Sequence, residues 1–99
     1  MLASGGAAAF AFDAVRPNPA AGAWTLAFTL ERSGDVSGVV SGIAGRIAVR
    51  SAWRGLGAGA HVVPWSETAG LAPGLYFVSL RQGDRVATRR AVRINGTAP

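Results

Sequence analysis

Cysteine is absent from the 99 residues, which removes disulfides, thiolate metal sites and thiol nucleophiles together. Stability must come from packing. Lysine is absent too: the ten basic residues are all arginine, set against five acids for a formal net charge of +5. Beside so much alanine and glycine, that bias reflects coding composition as much as a cationic surface, so only weak, salt-dependent nucleic-acid binding is expected and no specific nucleic-acid partner. Charged residues make up 15% of the chain and hydrophobic ones 49%, too apolar for a disordered tail. No uninterrupted apolar run approaches the roughly 20 residues of a spanning helix, so no transmembrane segment is expected.

Reactive constellations are equally scarce. His61 is the only histidine, and Asp13, Glu31, Asp35, Glu67 and Asp84 are scattered without ligand spacing, so neither metal nor cofactor is expected. Ser66, His61 and Glu67 make a triad only on paper, because Ser66 and Glu67 are neighbours in a loop and nothing resembles a nucleophile elbow. Gly55, Gly57 and Gly59 lead into a strand and so lack the helix N-terminus that binds phosphate. The expectation is a protein without catalysis.

What the chain does have is strand signal, recurring along a length that makes one domain with one modest core. Residues 1–9, MLASGGAAA, carry no cationic n-region and read as a flexible lead-in with no signal peptide. Phe10 to Val15 forms a first strand, stopped by Arg16-Pro17-Asn18-Pro19, a structured bend. Trp24, Leu26, Phe28 and Leu30 alternate with Thr25, Ala27 and Thr29, the cleanest period of two in the chain. Val36 to Ile43 and Arg46 to Ala52 follow, with Gly38 and Gly42 suggesting a bulge or a close backbone approach. Trp53 to Gly59 reads as a crossover that exposes Trp53, and Pro64 confines Ala60 to Trp65 to an edge or itself to the strand's end.

The organising stretch is Leu71 to Ile94, a hairpin turned by Gln82, Gly83 and Asp84. Its first arm, Leu75 to Leu80, is apolar on both faces except at Ser79, as in a strand at the centre of a sheet. Its second arm alternates, with Val86, Thr88, Arg90, Val92 and Ile94 on one side and Arg85, Ala87, Arg89, Ala91 and Arg93 on the other. The arginine stripe either protects a strand edge or binds phosphate or carboxylate groups. The pattern predicts an antiparallel β-sandwich of about seven strands, with Leu26, Phe28, Val63, Trp65, Leu75, Phe77 and Val92 among its buried residues.

Pro17-Asn18-Pro19 with Gly22, the strand WTLAFTL, Gly45-Arg46, His61 to Trp65, and Pro73-Gly74-Leu75-Tyr76-Phe77-Val78 before a basic ending together resemble one bacterial module over residues 10 to 95. It is similar to the C-terminal sorting domain of type IX secretion cargo, and to the immunoglobulin-like domain of the flagellar hook-capping protein. Ser41-Gly42 stands where the family usually has Tyr-Asp. The loop Ser66 to Gly70 is short, as in the sorting form, and arginine replaces the usual lysine near the end.

The resemblance implies an all-β, immunoglobulin-like sandwich over residues 10–95 with a tail at 96–99. It implies a non-catalytic module attached behind the other domains of a secreted or surface-exposed Gram-negative protein, passing through the periplasm and read by the outer-membrane secretion machinery. Without a signal peptide of its own, the chain reads as an excised module. Recognition would fall on the hairpin, with Arg85, Arg89, Arg90 and Arg93 supplying charge, Gly74 and Tyr76 holding the strand, and the strand edge open for β-addition. The alternative is a structural domain of a hook-capping protein or of a secreted enzyme.

Overall fold

The computed structural model describes residues 9–94; the expected tail, and the expected lead-in apart from Ala9, lie outside them. Seven strands are present: β1 (Ala11–Arg16), β2 (Trp24–Leu30), β3 (Gly34–Gly42), β4 (Ile47–Leu56), β5 (Gly59–Trp65), β6 (Gly74–Gln82) and β7 (Arg85–Arg93), with a 3₁₀ turn at Ser66–Gly70. They form two antiparallel sheets, β1-β2-β5 and β4-β3-β6-β7. The links β2–β3, β4–β5 and β5–β6 pass between the sheets, whereas β3–β4 and β6–β7 are hairpins within one, an immunoglobulin-like β-sandwich.

Strand β2 shows why the layers close. Its alternation puts Trp24, Leu26, Phe28 and Leu30 inward, all fully buried, and leaves Thr25, Ala27 and Thr29 on the outer side. Val36, Val40, Val78 and Leu80 of the larger sheet join the same core. Pro64 sits in β5, which is an edge strand as its missing donor requires.

Two expectations need correction. Trp53 is not in an exposed loop: β4 continues through it, and its ring packs edge-on to Trp65 with centroids 5.1 Å apart. Gly38 makes the room. A Cβ there would lie 2.8 Å and 2.9 Å from Trp53 and 3.0 Å from Trp65, so this is the close approach and the paired indoles are its cause. Replacing Gly38 by Ala is expected to cost about 1–3 kcal/mol, read from the denaturant midpoint, because neither indole can retreat into a filled core.

The second correction is one of side. Val78 and Leu80 point inward on β6 and Ala91 on β7, so Leu75 and Val92 are exposed at 39% and 38%, and Phe77, half-buried, lies with them on the outer face. With both sides of Leu75–Leu80 apolar, hydrophobicity does not mark which one is covered. Val63 is half-buried against the core, while Leu26, Phe28 and Trp65 are buried as expected.

Candidate functional site

The hairpin of β6 and β7 is where recognition was expected, and its arginines are not equivalent. Because Ala91 faces the core, Arg89 and Arg93 share the inward parity of β7. Arg93 is only 4% exposed. Its Nε donates to Leu71 O at 3.0 Å, Nη2 to Ala69 O at 3.0 Å and to Ala21 O at 3.3 Å, and Nη1 to Gly22 O. The guanidinium also lies 5.7 Å from the centroid of the Trp24 ring. Arg93 makes no ion pair among the described residues; backbone carbonyls alone satisfy it. An arginine fork suits this task, since its planar array of donors can reach several carbonyls at once.

The same correction applies to the rest of the stripe. Arg89 has an exposed side chain but donates from Nε to Phe12 O at 2.7 Å, tying β7 to β1. Arg85 pairs with Glu31 at 3.2 Å. Tyr76 is half-buried, with its hydroxyl donating to Ala72 O at 2.7 Å and its ring 6.0 Å from Trp24 in an edge arrangement. Gly74 opens β6 opposite Arg93. Of the expected recognition arginines, Arg90 alone is exposed and carries neither an ion pair nor a side-chain hydrogen bond among the described residues.

The edge of β7 is also occupied along its end, from Arg90 to Ile94, where it was expected to be open. The Asn18 side chain behaves as a short strand: its Oδ1 accepts from Val92 N at 2.9 Å and its Nδ2 donates to Arg90 O at 3.4 Å. Ala20, fully buried, continues the pairing by donating from N to Val92 O and accepting from Ile94 N, both at 2.9 Å. Pro17 and Pro19 flank Asn18 and are exposed. Neither can donate a backbone hydrogen bond, so the amide of Asn18 does what the main chain there cannot.

Two further residues complete this end of the sandwich. Thr68, buried in the 3₁₀ turn, donates to Trp65 O at 2.7 Å and accepts from Trp24 N at 2.8 Å. The β3–β4 turn carries Gly45 and Arg46, and it leaves the sheet at this end because Gly42 pairs with Tyr76. Gly45 takes φ +85°, a conformation that favours glycine. Sequence reasoning missed Ala20 and Thr68. A loop threonine and a small residue after two prolines are too common to signal such roles.

Among the described residues no group of three or more His, Cys, Asp or Glu could hold a metal ion. His61 places Nε2 2.6 Å from Gly57 O and its ring against Phe28, a structural setting. Among the described residues no helix is long and apolar enough to cross a membrane. Compared with known proteins, the chain matches no family model, no curated protein and no solved structure.

Proposed function

We propose that this chain is a non-catalytic sorting and surface-attachment module of an exported bacterial protein, of the kind found at the C-terminal end of type IX secretion cargo. One observation carries the reading. The segments behind the resemblance, Pro17-Asn18-Pro19, Gly22, Gly74-Leu75-Tyr76 and the final basic strand, are far apart in sequence yet interlock at one end through Asn18 and Arg93. Their joint presence then has a physical reason, and the last strand is held in the fold.

In this reading Arg93 and Tyr76 hold the presenting strand, and Arg90 is the hairpin charge left to meet a partner. The partner is protein machinery at the outer membrane, reached through the periplasm, and any enzyme activity belongs to the other domains of the exported protein.

The test is to place residues 10–99 behind a signal peptide and a reporter in a Gram-negative host with this secretion system. The intact module should bring the reporter to the surface, and deletion of residues 85–99 should leave it in the periplasm. A reporter that stays in the periplasm even with the intact module contradicts the role.

A further inference from the structure

The outer face of the larger sheet is unlike an ordinary solvated face. Strand register sets its rows: Ala52, Ser37, Arg81 and Val86 across the first, Arg50, Val39, Ser79 and Thr88 across the second, and Ser41, Phe77 and Arg90 across the third. No Asp or Glu stands in these rows. Acids stand at the margin, where Asp35 faces Arg54 at 3.8 Å, Glu31 faces Arg85 at 3.2 Å, and Asp84 lies in the β6–β7 turn two residues from Val86. Arg50, Arg81 and Arg90 are exposed and make no ion pair among the described residues.

Between these arginines the surface is hollow and partly apolar. Small hydroxyl side chains there, with Ser79 and Thr88 bonded to each other at 2.8 Å, leave a depression of about 430 Å³ lined by Ser37, Val39, Ser79, Arg81 and Val86. Val86 is 54% exposed at its rim. With strands about 4.8 Å apart and about 3.4 Å per residue, the three arginine Cα atoms stand roughly 12–16 Å from one another around it. An extended chain spans that distance in about four residues, so acidic side chains four positions apart on its protein-facing side can meet two of the guanidinium groups while an aliphatic side chain midway between them, on the same side, lies over the hollow.

We propose that this face is a docking surface for an acidic, extended protein segment in which acidic and aliphatic residues alternate along one side, at every second position. Charge complementarity selects this occupant. A second copy of the face would bring arginine against arginine. A nucleic acid would find only one aromatic ring on this face, half-buried Phe77, and no run of rings on which successive bases could stack, since Trp24 and Trp65 are buried and Trp53 packs inward. The apolar side chains that line the hollow, Val39 and Val86, lie within strands, whereas the exposed Ile43, Ile47 and Ile94 lie toward the far end of the sheet, so the vesicle arm of the test separates a lipid surface from a peptide one. The surface shares Arg90 with the hairpin proposed to meet the sorting machinery, but the peptide titration reads it without the secretion host, so the two readings can fail separately.

The probe is a short capped peptide with Glu and Val taking turns at every second position and Ser between them, so that both line one side of the extended chain, titrated into isotopically labelled protein and followed by amide chemical shifts. Shifts should concentrate on Val39, Ser79, Val86 and Thr88, and binding should weaken with salt. The variant R50S/R81S/R90S should bind roughly tenfold or more weakly, while R16S/R32S/R54S, with the same change in net charge, should bind within about twofold of the parent. Equal loss in the two variants, or shifts centred elsewhere, would overturn the proposal by reducing it to general charge attraction. Binding to phosphatidylglycerol vesicles without binding to the peptide would overturn it in favour of a lipid surface.

Discussion

Replacing Arg93 by Ala is expected to lower the unfolding free energy by about 3–5 kcal/mol in a urea titration, a large share of what a domain of this size has. The side chain is nearly fully buried and serves carbonyls of Ala21, Gly22, Ala69 and Leu71. Truncation removes at once the shared donor of four loop carbonyls and the guanidinium packed on the Trp24 ring. Lysine should recover only part of the loss, because a compact ammonium cannot spread its donors over so many separate acceptors. An effect below about 1 kcal/mol, the size of an exposed surface substitution, would contradict the clasp. The same number explains why arginines at the end of this chain cannot be exchanged as a set to test recognition: removing Arg93 tests folding, whereas removing Arg90 tests the surface.

Trp24→Ala should cost a similar amount, about 3–5 kcal/mol, by leaving a cavity where a fully buried indole stood. Trp24 Nε1 has no hydrogen-bond partner among the described residues, so the contribution of this ring is packing, against Tyr76 at 6.0 Å and beneath the Arg93 guanidinium at 5.7 Å. Because Arg93 rests on Trp24, the two losses should not add. The double variant is expected to fall short of the sum by more than about 0.5 kcal/mol, read from a double-mutant cycle, and full additivity would mean that ring and guanidinium are independent.

Much of the fold was legible because a half-buried strand announces itself. The alternation from Trp24 to Leu30 identified β2 and its inward face together, and Pro64 left β5 an edge or a strand ending there, of which the structure shows both, an edge strand with Pro64 next to its last residue. The parity of the C-terminal hairpin was not legible. Leu75 and Phe77 compete on equal terms with Tyr76, Val78 and Leu80, and on β7 the inward side is marked by small Ala87 and Ala91 while Val86 and Val92 face out. Arg93 therefore read as a surface charge. What makes its burial tolerable is a set of carbonyls from residues 21–22 and 69–71, brought to it only by the closed sandwich.

The motif residues show the same division. Pro17-Asn18-Pro19 was legible as a bend, since two prolines fix the backbone and withhold donors. That Asn18 would stand in for a strand on the edge of β7 was not, because the partner groups belong to Arg90 and Val92, more than seventy positions away. The acid-free outer face was hidden for a related reason. Arg50, Arg81 and Arg90 belong to three strands, and only the register of β3 against β4 and β6, and of β6 against β7, sets them around one hollow.

The claim on which the rest depends is that the two ends of the domain interlock, so that the last strand is not a free edge. Amide hydrogen exchange of Val92 and Ile94 measures it most directly. Val92 N donates to the Asn18 side chain and Ile94 N to Ala20 O, both at 2.9 Å. Both amides should be protected in the parent protein, and Asn18→Ala should strip protection from Val92 while leaving the amides of β2 slow. Exchange of Val92 and Ile94 at the rate of an open strand edge in the parent protein, or an Asn18→Ala variant that exchanges no differently, would contradict the interlock.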